Sequence, residues 1–321
     1  MKFVDLKNEL KINLDNVYLV RGKDAYLRMK AEDMIVNASV KEFADFNIIK
    51  YTDDTVSMES VITACMSMPM MADKKVVVLR DLVFKNDKDV QALVKYAKKP
   101  MSSTVLVIVD GANATCYKDI AKVAEVIDCD YMDAPMVQRV VLAELNRQNV
   151  KIDVNALNTL LAYCNLDLTR IMSEVNKLSN YVGENGTIQT SVVEEMVHRD
   201  VEYSIFEVSD AVSKKDGKRA IAIIDYLLQN KEQPQTILML IQSSFRRMFY
   251  AVTSKLTNKE IADRIKMKEY AIKLSRELGS RFSPAKLKAI LDLGAELDYQ
   301  IKSGQMTGEN ALYYFVANIT T

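Results

Sequence analysis

The stretch Val17-Tyr18-Leu19-Val20-Arg21-Gly22-Lys23-Asp24-Ala25-Tyr26-Leu27 decides the fold. Four strand-forming residues end close to a glycine, and a helical pattern follows from Ala25 to about Val36, which is how a nucleotide-binding α/β domain opens. The phosphate loop that should join strand to helix is missing. Such a loop needs several glycines, so that successive backbone N–H groups turn inward around phosphates, and a Lys followed by Ser or Thr for the metal. Here only Gly22-Lys23 survives, and Asp24 puts a carboxylate where the hydroxyl belongs, which repels phosphate. The frame of an ATPase without its ATP site points to a protein that is moved, or that moves something else.

Outward from this stretch, short apolar runs recur at Phe46 to Tyr51, Val76 to Leu79, Val105 to Val109 and Val126 to Cys129. They are nearly continuous in Val, Ile and Leu, as strands buried on both faces are. Helical spacing between them, over Ser57 to Met68 and over residues 88–98, predicts an open parallel five-stranded sheet. After Ala134-Pro135 no strand signal of any strength remains. The segment from Leu168 to Tyr181 carries an apolar stripe, with Asp167 placed to cap it and Gly183 following its end. Ser191 and Glu194 have capping-box spacing for another helix. Further helices are expected over Lys218 to Gln229, Thr236 to Val252, Lys286 to Ser303 and Glu309 to Ile319, with Ser204 to Glu207 marking a junction. The expected class is α/β followed by all-α, in domains 1–138, 139–207 and 208–321.

Composition narrows the function. The 321 residues are 49% apolar and 27% charged, as in an ordinary globular protein. No run of about 18 apolar residues occurs, and the start, Met1-Lys2-Phe3-Val4-Asp5, alternates charge with hydrophobicity; neither a membrane span nor a secretory signal is expected, and a cytoplasmic location is. Cys65, Cys116, Cys129 and Cys164 are scattered without a C-x-x-C pair, which argues for buried free thiols rather than zinc or disulfides. The single histidine, His198, removes most triads and histidine-metal sites and reads as a solvated or capping residue. The strand ends Leu79-Arg80-Asp81 and Val109-Asp110-Gly111 lack the acidic pair with which an ATPase holds Mg²⁺. Asp128, Asp130 and Asp133 cluster at the fifth strand's exit but have no other ligand type beside them. The expectation is therefore no catalytic residue, no metal and no cofactor.

Two segments suggest contacts instead. Net charge is zero, yet Arg246 to Lys288 holds 12 basic residues, Arg246 and Arg247 among them, against four acidic ones. That reads either as a nucleic-acid footprint or as the solvated faces of several helices. Elsewhere, Pro69 stops the crossover helix and Met70-Met71 fall in the short connection before Ala72-Asp73-Lys74-Lys75. Two large apolar side chains on a surface connection either fold back onto the sheet or are displayed to a partner, and methionine's pliable side chain suits display. Two rival functions stand beside a binding role: an active nucleotide-handling enzyme using Lys23 and the strand-end aspartates, and an independent nucleic-acid-binding protein using residues 246–288.

Taken together, Val17 to Leu27, Cys65 to Leu79, Asp167-Leu168 through Glu174 to Leu178, Ile205 to Ala211, Gln242 through Phe245-Arg246-Arg247, and Ile301 to Gly304 resemble the delta-subunit family of bacterial DNA polymerase III clamp loaders, over essentially the whole chain. The resemblance implies an AAA+-like domain lacking a Walker A loop, a small helical lid domain and a C-terminal helical collar domain that oligomerises. It implies a non-hydrolysing accessory subunit of the DNA-directed DNA polymerase holoenzyme that binds and opens the beta sliding clamp for loading on primed DNA. Its partners would be the gamma/tau ATPase and delta-prime subunits in a hetero-pentamer. The clamp contact carries over to Met70 and Met71, with Met68 and Pro69 leading into them, where a Leu-Phe pair is often found. Arg246 and Arg247 are expected at a DNA or collar contact.

Overall fold

The computed structural model describes residues 1–52, 56–82, 87–111 and 115–320, in two compact units, Met1–Met132 and Asp133–Thr321. In the first unit, α1 (Phe3–Ile12), β1 (Val17–Arg21), α2 (Ala25–Ser39) and a one-turn α3 (Ala44–Asn47) lead into β2 (Ile48–Tyr51). They are followed by α4 (Met58–Met66), β3 (Lys75–Arg80), α5 (Asp87–Lys98), β4 (Thr104–Asp110), two short 3-10 turns and β5 (Glu125–Asp128). The strands form one parallel sheet in the order β2-β3-β4-β1-β5, so β1 sits between two strands formed much later in the chain.

The expected sheet is present, and its period-2 geometry explains the apolar runs. Val17, Leu19, Val77, Leu79, Leu106 and Ile108 pack against α4 and α5. The alternate residues, such as Tyr18, Val20, Val76 and Val107, are equally buried and point to the opposite face, where α2 packs on β1, β3 and β4. One boundary differs. Phe46 and Asn47 lie in α3 rather than in β2, because the chain turns through a left-handed Phe43 (φ +53°) and closes one helical turn before entering the sheet. As an edge strand β2 is also only half covered, unlike β3 and β4.

The second unit runs α6 (Ala134–Arg147), β6 (Lys151–Ile152), α7 (Val154–Tyr163), α8 (Leu168–Val182), β7 (Thr187–Ile188), α9 (Thr190–Met196) and α10 (Val201–Ser213). It continues with α11 (Gly217–Gln229), α12 (Pro234–Thr253), α13 (Asn258–Ile265), α14 (Glu269–Gly279), α15 (Pro284–Lys302) and α16 (Gly308–Thr320). Asp167 caps α8 by accepting the Arg170 N–H at 3.0 Å, and Gly183 ends it at φ +75°. Three readings are corrected. A parallel β6–β7 pair exists, its two-residue strands too short to leave a pattern in the sequence. The capping box at Ser191 is absent, because Val192 and Val193 donate to the Gln189 carbonyl and α9 starts before Ser191. Ser204 to Glu207 lie inside the continuous α10. From Ile205 to Ile319 the apolar faces of α10, α11, α12, α15 and α16 share one core around Phe245 and Phe315.

Candidate functional site

The carboxyl ends of β1, β4 and β5 are where an open parallel sheet accepts a ligand. They enclose a cavity of about 370 Å³ lined in part by Arg21, Gly22, Asp110, Lys118, Asp128 and Asp130. The connection after β1 is closed on its own chain. Lys23 donates its backbone N–H to Asp130 Oδ1 at 3.0 Å, and Asp24 donates its own to the Cys129 carbonyl at 3.0 Å. The buried Asp24 side chain accepts the Leu27 N–H at 3.1 Å as the cap of α2. Gly22, at φ +139°, lies so close to β5's exit that an added Cβ would sit 2.2 Å from the Cys129 carbonyl carbon. The N–H groups of Lys23 and Asp24, which a phosphate loop would aim at its ligand, are therefore directed at acceptors from the fifth strand.

The aspartates there serve the chain itself. Asp130 receives Lys23, its own N–H goes to Asp128 Oδ1 at 3.1 Å, and Asp133 caps α6 by accepting the Met136 N–H at 3.0 Å. Burial, with the nearby Asp128, Asp24 and Asp130 carboxylates, pushes the Cys129 thiol up to about 12. Cys65, Cys129 and Cys164 are buried free thiols as expected, while the Cys116 side chain lies outside the described residues. His198 is exposed beyond the end of α9, its carbonyl accepting Arg170 Nη2 at 2.5 Å. Among the described residues, no helix is long and apolar enough to cross a membrane.

The connection between α4 and β3 is built differently. Helix α4 buries Met58, Val61, Ala64 and Cys65 against the sheet, and the Ala64 and Cys65 carbonyls of its last turn accept side-chain donors. Thr104 Oγ1 donates to the Cys65 carbonyl at 2.9 Å, and the buried Lys75 ammonium donates to the Ala64 carbonyl and to Ser67 Oγ. A cation at a helix C-terminus is favourable there, although burial pushes the Lys75 pKa below its usual value. The chain leaves this platform before Pro69, whose ring disfavours helical geometry at Met68.

Beyond the platform the methionines face outward. Met68 is 75% exposed, Met70 55% and Met71 76%, with Met66 exposed beside them. Met70 and Met71 are exposed and not folded back onto the sheet. The display is held from behind by one residue that sequence reasoning missed. The fully buried Asn47 on α3 donates Nδ2 to the Met70 carbonyl at 2.8 Å and accepts the Met70 N–H on Oδ1 at 2.7 Å. Met71 is held at φ +51°, a left-handed conformation that costs a non-glycine residue about 1–2 kcal/mol. Phe43 and Phe46, which precede Asn47 in the same short segment, are exposed as well. The available signal was Asn47 itself, a poor strand former inside an otherwise strong strand run.

Arg246 and Arg247 separate. Arg246 is exposed on α12, whereas Arg247 turns inward, its Nη1 3.8 Å from Met267 Sδ, beside a cavity of about 220 Å³ that Tyr203, Phe206, Tyr270 and Leu274 also line. Other members of the basic stretch are tied into the fold. Arg276 donates to the Leu256 carbonyl at 2.6 Å and Arg281 to Asp210 at 2.8 Å.

The sheet, with β1 flanked by β4 and β5, followed by a helical body, defines an AAA+-like fold. A solved Bacillus subtilis DNA clamp loader delta protein shares it, with a TM-score of 0.75 over 99% of both chains at 23% identity. Residues 18–129 match the family model described as DNA polymerase III, delta subunit, and residues 202–319 the model for that subunit's C-terminal domain. The DNA polymerase III subunit delta of Bacillus subtilis is 24% identical, with 99% of this chain and 97% of that relative covered. A probable delta subunit of Aquifex aeolicus is 20% identical over 73% of this chain and 70% of its own length. The chain belongs to the delta-subunit family of the DNA polymerase III clamp loader, a family of accessory subunits of that polymerase.

Proposed function

We propose that this chain binds the beta sliding clamp through Met70 and Met71, with Met68 and Pro69 shaping the approach, and opens one interface of the ring without hydrolysing ATP. The observation that carries the reading is the tip: two adjacent, exposed methionines, the first held through its backbone by the buried Asn47, beyond a helix end whose Ala64 and Cys65 carbonyls are bonded. Adaptable apolar anchors seated in a partner's pocket dominate interface energy. Fully burying a Met side chain is worth about 1.5–3 kcal/mol, so a pair 55% and 76% exposed has roughly 2–4 kcal/mol to gain.

Opening needs no chemistry in this chain. Binding shifts the ring between closed and open states only by as much as the chain prefers the open one. The closed loop at Gly22 to Asp24 supports a subunit whose nucleotide dependence comes from others. In this reading the chain joins gamma/tau and delta-prime subunits in a hetero-pentamer. Residues 1–138 bind the clamp, 139–207 form the lid and 208–321 the collar. The core shared by α10, α11, α12, α15 and α16 supports grouping those helices as the collar. Arg246 is then a contact for the collar or for primed DNA.

The test is to mix the purified chain with its own organism's sliding clamp and repeat with Met70→Ser and Met71→Ser together. Binding by the parent and a loss of at least about 30-fold in the double variant, the equivalent of roughly 2 kcal/mol, are expected. Unchanged binding by the double variant rejects the tip, and no binding by the parent rejects the function.

A further inference from the structure

The methionine tip is not the whole exposed apolar surface of its neighbourhood. Phe43 and Phe46 on one segment, and Met66, Met68, Met70 and Met71 on the other, are all exposed. Single exposed apolar residues are ordinary on a protein surface, whereas several brought together mark a contact site. The two segments are 20 or more residues apart in the chain, and Asn47 joins them. It accepts the Met70 N–H and donates to the Met70 carbonyl, and the same Nδ2 donates to the Phe43 carbonyl at 3.0 Å. A buried side chain bonded to the backbone of both segments makes them move as one body.

Two further features show that this arrangement is built rather than incidental. Phe43 and Met71, one in each segment, both adopt left-handed backbone conformations. Strain of this kind persists only where the surroundings over-determine it, and here the Asn47 amide bonds the Phe43 carbonyl on one side and the backbone of Met70, next to Met71, on the other. Both segments also carry exposed charges close in sequence to the apolar residues, Lys41, Glu42 and Asp45 in one and Asp73 in the other, the mixture that interfaces have at their edges.

We propose that α3 is the second half of the docking surface, with Phe46 seated on the same ring-shaped partner as the methionines and Asn47 as the positioning residue that fixes the two halves in register. The inference rests on the clamp-binding reading above and extends it to residues outside the α4–β3 connection. The occupant follows from continuity, because a body lying over Met70 meets the segment bonded to Met70's own backbone. A locked surface also avoids the affinity penalty of a tip that must first find its bound conformation.

The experiment measures binding kinetics of the full chain on immobilised sliding clamp, for the parent, Phe46→Ser, Asn47→Ala, Met70→Ser/Met71→Ser, and each α3 change combined with the methionine pair. Phe46 is 66% exposed, so Phe46→Ser is expected to leave the melting temperature unchanged while weakening binding about tenfold, chiefly through faster dissociation. Asn47→Ala is expected to weaken parental binding about fivefold or more and to add no further loss once both methionines are serine, since it acts through them. Parental affinity in Phe46→Ser, when the methionine variant has lost binding, overturns the inference and leaves the tip standing. An equal Asn47→Ala loss in both backgrounds marks general destabilisation and overturns the positioning role. Self-association of the free chain that Phe46→Ser abolishes assigns α3 to a second copy and likewise overturns it. Parental affinity in the methionine variant overturns the tip reading, and this inference with it.

Discussion

Asp130 holds the backbone N–H of Lys23 at 3.0 Å, so the fifth strand's exit occupies the donor that a nucleotide phosphate would seek from the first strand's loop. Asp24 repeats the arrangement one residue later through the Cys129 carbonyl. A phosphate entering here meets three carboxylates, Asp110, Asp128 and Asp130, against two cations, Arg21 and Lys118, and to reach the loop's N–H groups it must displace two backbone hydrogen bonds. MgATP at millimolar concentration is therefore expected to leave the melting temperature of the isolated chain unchanged. A ligand at 100 times its Kd would add about 2.7 kcal/mol. A saturable upward shift that Lys23→Ala removes would favour the enzyme reading.

Glu32, on α2, is completely buried and is clamped by Arg80 from the end of β3, with Nε at 3.0 Å and Nη2 at 2.7 and 2.8 Å, while Lys50 from β2 adds a second cation at 3.0 Å. This group ties one helix to two strands. Removing Arg80 leaves a buried carboxylate with a single partly exposed Lys, and losing one partner of a buried pair costs about 3–5 kcal/mol. Because Arg80 and Lys50 keep contact with solvent, Arg80→Met is expected at the lower end, near 3 kcal/mol by urea denaturation. Glu32→Gln/Arg80→Met together should cost less than Arg80→Met alone.

Burial also sets the behaviour in alkali. Cys65, Cys129 and Cys164 are each pushed up to about 12 from an ordinary 9.0, with burial the largest cause in each. Between these values the folded chain holds protons that the unfolded chain has released. Stability is then fully present below pH 9 and falls as pH rises towards 12, by at most about 1.4 kcal/mol per pH unit for each group. Cys129→Ala should flatten the stability profile over that window and leave its slope near pH 7 unchanged. Iodoacetamide at pH 8 should label none of these three thiols in the folded chain. Rapid labelling of Cys129 would contradict its closed surroundings.

The basic stretch of the last helices is expected to bind DNA weakly in the isolated chain. Arg281 is paired with Asp210, and Arg276 and Arg247 are drawn to partners inside the fold, which takes several cations out of a phosphate-facing array. Fluorescence anisotropy with a primed duplex should give a shallow log–log salt dependence. A steep one, with each phosphate contact adding a slope of about −0.9, would favour the independent nucleic-acid-binding reading.

The sheet was legible in the sequence because each buried strand is an unbroken apolar run, and the missing phosphate loop because glycine spacing and Asp24 are local facts. The exposed methionines were legible only as a choice, since a short connection after Pro69 is compatible with packing or display. Asn47 could not be found this way. Its partner lies 23 residues away, and Phe46 before it reads as the start of β2 until the left-handed turn at Phe43 is seen. Glu32 and Arg80 were hidden for the same reason, being 48 residues apart. Helices α13 and α14 escaped because their residues were read for charge, although Thr257 and Glu260 form a complete capping box.

The most direct measurement places a self-quenching fluorophore pair across one interface of the sliding clamp and adds this chain alone, without nucleotide. Fluorescence is expected to rise to a saturating level with the parent chain, to be indifferent to ATP, and to stay at baseline with Met70→Ser/Met71→Ser. A clamp that binds the chain yet stays closed, or that opens only when ATP is supplied to this chain alone, would contradict this expectation.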